Sequence, residues 1–215
     1  MRVEELEFIN FISGNFKRNI TIADVGANTG KYSEHLVRTL NDRIKKGYIF
    51  EPIKSCYDSI KRWSNFSYFN IGVGIGRGEV KFYEAVGKES HSSIVNREWL
   101  YMRPEYNIRE IIIKIDCLDN IINERLNVLK IDTEGYELEV LKGCKKLLKE
   151  GNIDYIQFEY GGCFKDNNIT LNDVIHFLGQ YGYGVYELRN GSFNLITSYQ
   201  DDFRWVNLFS KRINR

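Results

Sequence analysis

Cysteine is sparse and never paired: the chain holds four, Cys56, Cys117, Cys144 and Cys163, with no Cys-x-x-Cys spacing and no nearby histidine to complete a zinc site. They read as reduced thiols. Excess charge is equally lacking, since 30 Lys plus Arg face 29 Asp plus Glu for a formal net charge of +1. Without an overall basic surplus, nothing suggests a nucleic-acid coat or an anionic membrane surface, although a local patch stays open. No stretch approaches the ~20 apolar residues of a membrane span. The start, Met1-Arg2-Val3-Glu4-Glu5-Leu6, carries acid where a secretory leader needs a basic region and an apolar run. The expectation is a cytoplasmic protein without membrane insertion. Abundant Asn, Ile and Lys with only two prolines suit an AT-rich bacterial or large-virus genome, in which case the compartment is the host cytoplasm. Repeats, low-complexity runs and interdomain linkers are absent as well.

What is present is ordinary for an ordered domain: 43% hydrophobic, 14% aromatic and 27% charged residues. The 215 residues fit a single domain. Short apolar runs alternate with amphipathic stretches, the pattern of strand, crossover helix and parallel strand, so the fold class is α/β. The spacing predicts an N-terminal helix within 1–19 and seven core strands: 20–25, 47–51, 67–72, 128–132, 155–159, 184–188 and 204–210. Helices are expected at 31–40, 53–63, 137–150 and 170–181. Residues 74–117 break the alternation and read as an insertion with a hairpin-like pair, 79–83 with 111–115, around a mobile segment at 87–107.

Asp24-Val25-Gly26-Ala27-Asn28-Thr29-Gly30 follows the first strand and opens a helix. Glycine lets such a turn close tightly and come near a ligand. The spacing is Gly-x-x-x-Gly rather than Gly-x-Gly-x-x-Gly, which weakens a dinucleotide reading, and Asp24 can accept from an ammonium group. Glu51 ends the neighbouring strand 21 residues beyond Gly30, where a carboxylate can accept from two ribose hydroxyls. Pro52 holds Glu51 extended. Either feature alone is an ordinary turn or a solvated strand end; together they outline an adenosine site at the carboxyl ends of the strands.

These residues resemble those of class I S-adenosylmethionine-dependent methyltransferases. Leu129-Lys130-Ile131-Asp132-Thr133-Glu134-Gly135-Tyr136-Glu137-Leu138-Glu139-Val140-Leu141-Lys142-Gly143 narrows the resemblance to the FkbM family, as do Phe50-Glu51-Pro52, Asn70-Ile71-Gly72-Val73-Gly74, Ser92-Ser93 and Cys117-Leu118-Asp119. The resemblance implies a Rossmann-like sandwich: a seven-stranded, mostly parallel sheet with helices on both faces and a small β insertion. It also implies S-adenosylmethionine as cofactor, with Asp24, Gly26, Asn28, Gly30, Glu51, Pro52, Gly72, Ser93 and Asp132 around it. Family members are mostly O-methyltransferases of sugar or polyketide-type hydroxyls. Cys117 departs from the family, which usually has Thr or a similar small polar residue there.

Transfer to a hydroxyl needs in-line placement and a group that takes the proton. Asp132 is the first candidate base, with Glu159, one strand over, orienting the acceptor, and His91 in the insertion as a secondary candidate. His35 and His176 are left as packing or surface residues. Glu137 reads as acid at a helix N-terminus, worth ~0.3–1 kcal/mol; Glu134 stays open. Trp99, Tyr101 and Tyr106 are stacking candidates for a flat acceptor. By analogy with some sugar O-methyltransferases, Asp132 and Glu159 could offer two oxygens to a divalent cation, but two ligands do not make a site and no metal ligand is assigned. The expected acceptor is a sugar, nucleotide sugar or glycan, preferred over a polyketide-type molecule or an RNA ribose because the insertion is polar and carries aromatics and no long apolar segment lines a macrolide pocket.

Other classes fare worse. Tyr57-x-x-x-Lys61 matches the spacing of short-chain dehydrogenases but lies too early in the fold. Pro52 and Pro104 allow no Asp-Pro-Pro-Tyr motif for exocyclic amines, and no cysteine follows a proline as in cytosine C5 enzymes. A non-catalytic module of a larger enzyme is opposed by the intact turn and Glu51. Oligomeric state is not legible.

Overall fold

The computed structural model describes residues 2–213. Helix α1 (Val3–Asn15) leads to β1 (Ile20–Val25), α2 (Lys31–Leu40), β2 (Ile44–Phe50), α3 (Lys54–Ile60) and β3 (Phe66–Phe69). The chain then leaves the main sheet for β4 (Gly72–Val73), β5 (Gly78–Val86), α4 (Glu98–Tyr101) and β6 (Asn107–Asp116). It returns through α5 (Leu118–Ile121), β7 (Leu126–Ile131), α6 (Glu137–Lys142), α7 (Lys145–Glu150) and β8 (Ile153–Tyr160). The remainder is α8 (Gly162–Asp166), α9 (Leu171–Gly179), β9 (Tyr183–Arg189), β10 (Ser192–Ile196) and β11 (Val206–Arg212).

The main sheet runs β10-β9-β11-β8-β7-β1-β2-β3. Five of its strands, from β8 to the edge strand β3, are parallel, and β11, β9 and β10 are added antiparallel. Every residue of β1 is buried, as befits a central strand covered on both faces. One face packs α6, α7 and α9 through Leu141, Leu148 and Val174; the other packs α1 and α2 through Phe8, Ile12 and Leu36. Thr170 and Asp173 cap α9 reciprocally, each side chain accepting from the other's backbone N–H.

The sheet has eight strands instead of seven. The extra one, β10, hairpins onto β9 through Asn190-Gly191, both at positive φ (52° and 73°). Asn-Gly is the strongest short hairpin signal, but Ser192–Ile196 is largely exposed and so lacks the apolar pattern that marks a core strand. No heavy atom lies within 4 Å of where a Gly191 Cβ would sit. Gly191→Ala is therefore expected to cost only the backbone term, about 1 kcal/mol, seen as a drop of ~2–4 °C in the unfolding midpoint; an unchanged midpoint would refute the turn assignment.

The helix expected at 137–150 is two. Gly143 lets the chain after β4 approach, since a Cβ there would lie 2.1 Å from the Gly74 carbonyl oxygen. Asp119 then accepts from the Lys146 and Leu147 N–H groups and caps the second half. The insertion forms a separate three-stranded sheet, β4-β6-β5. Residues 87–107, expected to be a mobile segment, carry α4 and bury Val95, Arg97 and Leu100.

Candidate active site

From β1 the sheet is built outward through β2 to β3, and the chain then comes back to lay β7 on the other side of β1. That reversal leaves a crevice beyond the strand ends, the place where open α/β sheets bind ligands. A cavity of about 370 Å³ occupies it, bordered by Gly26 after β1, Glu51 after β2, Asp132 after β7 and Glu159 on β8.

The glycine turn is set by the chain's own contacts. Gly26 and Ala27 donate to the Phe50 carbonyl (3.0 and 3.2 Å), and Asn28 donates to Glu51 Oε2 at 2.7 Å. Glu51 Oε1 accepts from the Ile53 N–H at 2.8 Å, and Asn70 Nδ2 ties the Glu51 and Pro52 carbonyls. Burial pushes the Glu51 carboxyl up to about 7 against those two N–H donors and Lys130. Asn28, Pro52 and Gly72 also border the cavity. Gly30 does not; at φ +76° it starts α2 and packs on Ile60 of α3.

Asp24 is a correction. It is 1% exposed and outside the cavity wall, with Oδ2 accepting from Ser33 Oγ at 2.6 Å. Beside it in register lies Lys130 of β7. Lys130 is 4% exposed, and its Nζ stands 3.0 Å from Asp24 Oδ1 as an ion pair without hydrogen-bond alignment. The same ammonium donates to the Gly26 carbonyl at 3.0 Å and lies 3.4 Å from Asp132 Oδ2. Burial pulls the Lys130 pKa down, but Asp24 and Asp132 outweigh it, so the ammonium stays charged. Asp24 thus supports the turn through Lys130 from behind the cavity wall.

Three acids converge beyond Asp24. One oxygen from each of Asp132, Glu134 and Glu159 lies within 4.8 Å of the others. The chain supplies a cation to each: Lys130 to Asp132, Arg97 Nη1 to Glu134 Oε2 at 2.5 Å, and Arg2 Nη2 to Glu159 Oε1 at 3.1 Å. The three oxygens stand close enough together to share one cation, and each also has a counter-charge from the chain itself. Burial drives Glu134 up to about 7 despite Arg97, and Glu159 to about 9 with the charges of Asp132 and Glu134 added. Glu137 is more than helix-end acid: fully buried, it accepts from the Thr133 and Gly135 N–H groups and shapes the loop that carries Asp132. Burial pushes it to about 7.

The insertion roofs the cavity. Phe82, Ile94 and Ile113 face Ile53, giving an apolar slot beside Glu51. His91 does not border the cavity; its ring packs edge-on against Tyr106, and burial with nearby Arg97 lowers its pKa. Ser93 is a second correction: its hydroxyl donates to the Glu134 carbonyl at 2.8 Å, fastening the insertion to the Asp132 loop, while neighbouring Ser92 lines the wall. Arg97, its side chain 1% exposed, reaches Glu134, the Cys163 sulfur and the His91 carbonyl. Arg2, Lys130 and Arg97 were missed from the sequence. Only Lys130, a charge inside a buried strand, left a signal there. The four cysteines are free and buried, and among the described residues no helix is long and apolar enough to cross a membrane.

No curated protein matches the sequence. Among solved structures, the methyltransferase FkbM of Methylobacillus flagellatus KT superposes with a TM-score of 0.61 at 15% identity, covering 95% of this chain and 47% of that one. The chain therefore spans about half the length of that protein. A Streptococcus mutans protein solved in complex with SAH gives 0.54 at 13% identity over 99% of both chains. An rRNA methylase from Streptococcus thermophilus gives 0.54 at 10% identity over 100% of this chain and 99% of the other. At such identities the likeness is one of fold, the Rossmann-like methyltransferase sandwich. The sequence itself matches the methyltransferase FkbM domain over residues 24–185, from the tip of β1 into β9. On that match, which takes in most of its length, the chain belongs to the FkbM methyltransferase family.

Proposed function

We propose that the protein is an S-adenosylmethionine-dependent O-methyltransferase acting on a hydroxyl of a sugar or glycan, with Asp132 taking the hydroxyl proton. The observation that carries this reading is the order of groups along one cavity: Glu51 at the tip of β2, the glycine turn at β1, Asp132 at β7 and Glu159 on β8. Glu51 has used two acceptor sites on backbone N–H groups, and an ionised carboxylate retains about two more for ribose hydroxyls. The slot of Phe82, Ile94, Ile113 and Ile53 suits a flat base. The bound donor supplies an electrophilic methyl on a sulfonium. Asp132, its side chain 35% exposed, is open to an acceptor while Lys130 fixes it from behind. The acid cluster and its cations make the end of the cavity where sulfonium and acceptor would meet polar, which favours a polyol over a polyketide-type partner. A ribose hydroxyl shares that chemistry, but the net charge of +1 lends it no electrostatic support. The Streptococcus mutans fold relative was solved in complex with SAH, which supports the donor assignment by analogy.

Calorimetric titration with S-adenosylhomocysteine, with NAD in parallel, tests the reading. Saturable binding of the former alone is expected, followed by labelled methyl transfer to nucleotide sugars and glycans. Glu51→Gln is expected to weaken S-adenosylhomocysteine by about tenfold or more, the effect of removing a charged hydrogen-bond acceptor worth ~1.5–3 kcal/mol. Unchanged affinity would sink the ribose assignment, and binding of NAD alone would return the chain to the redox reading.

A further inference from the structure

The three cations beside the acid cluster are unlike one another. Lys130 is walled in and anchored by Asp24 and the Gly26 carbonyl; Arg97 is walled in and anchored by Cys163 and the His91 carbonyl. The Arg2 side chain is 38% exposed, at the start of α1, and among the described residues it holds otherwise to the Trp205 carbonyl and, loosely, to the face of its ring. Glu159 is therefore the acid whose partner is free to leave.

We propose that Glu159 is the residue that tells the cationic methyl donor from its neutral product, and that Arg2 keeps the place at that carboxylate while no sulfonium is there. The inference rests on the donor-site reading above and deepens it. In the transfer, the methyl–sulfur bond breaks and its electron pair stays on sulfur, an oxygen–methyl bond forms, and the hydroxyl proton passes to Asp132. The sulfur becomes a neutral thioether, so the charge that Glu159 holds disappears at that moment. Arg2 then regains the carboxylate, and a fresh donor outcompetes the product.

Glu159 is faced by Asp132 and Lys130 from β7 and its end, Glu134 and Glu137 from the following loop and helix, Arg97 behind Glu134, and Arg2 and Glu5 from α1; its neighbour Asn207 on β11 is uncharged. Burial and the charges of Asp132 and Glu134 push the Glu159 carboxyl up to about 9, against the pull of Arg2. A cation seated there favours the ionised form. The preference for donor over product thus grows as pH rises toward that value and is smallest in acid.

The test is calorimetry of S-adenosylmethionine and S-adenosylhomocysteine on the wild-type chain, Glu159→Gln and Arg2→Ala, at roughly pH 7 and roughly pH 8.5. Glu159→Gln is expected to weaken the donor about tenfold and the product less than about twofold. Arg2→Ala is expected to tighten the donor by about threefold and leave the product unchanged. The wild-type preference for donor should rise with pH and be flat in Glu159→Gln. Equal losses for both ligands in Glu159→Gln, or no change for the donor in Arg2→Ala, would overturn the role assigned here. A wild-type chain that binds neither ligand would instead overturn the donor-site reading itself.

Discussion

Replacing Asp132 by asparagine is expected to lower methyl transfer by about 10²–10⁴-fold, the usual contribution of a positioned general base. Affinity for S-adenosylhomocysteine should stay within about threefold, because the amide keeps the side chain's volume and Lys130 retains its two other anchors. The backbone is unaffected as well: the Asp132 N–H still donates to the Val25 carbonyl at 3.0 Å. Single-turnover transfer of a labelled methyl, with calorimetry of the same variant, separates the two quantities. Full turnover in Asp132→Asn would move the proton acceptor elsewhere, with Glu159 next in reach.

Gly26→Val is expected to fail at folding, not at ligand contact. Gly26 sits at φ +74°, and a Cβ there would lie 1.8 Å from the Asp132 carbonyl oxygen. Backbone cannot yield as a flexible side chain can, so the ends of β1 and β7 would have to part. The left-handed conformation alone costs a branched residue ~1–2 kcal/mol, and the forced separation brings the expected loss above ~4 kcal/mol. Thermal unfolding with and without S-adenosylhomocysteine reads this directly; a variant melting at the wild-type temperature would show that the turn tolerates a side chain. From the sequence, that glycine reads as space kept for a ligand. The structure shows the space filled by the chain itself.

The sheet was legible because its central strands, β1 and β7, are almost wholly buried and the strands around them keep short apolar runs. Ser192–Ile196 was not, because an exposed edge strand has no such run and its register comes from the Asn190-Gly191 turn. The turn, Glu51, Asp132 and Glu159 could be placed since each stands at a strand end, where topology alone decides which way it faces. Asp24 and Ser93 were drawn into the site because proximity in sequence cannot show which way a side chain turns. Asp24 turns inward to Lys130 and Ser93 to the Glu134 carbonyl. Arg97 was invisible for the opposite reason: it lies in a polar stretch, and its burial comes from contacts with Glu134 and Cys163, both distant in the chain.

The contact between Lys130 and the Gly26 carbonyl joins residues 104 positions apart. On a ribosome adding ~5–20 residues per second, β1 emerges many seconds before β7. Through that interval one edge of β1 has no partner, and Asp24 has no cation to lie against. The nascent chain thus holds an open strand edge until Lys130 arrives and closes both deficits at once. Chains cut short within the insertion would be caught in that state, with the edge of β1 free to pair with another molecule, so premature termination there should yield aggregates and not a smaller working domain.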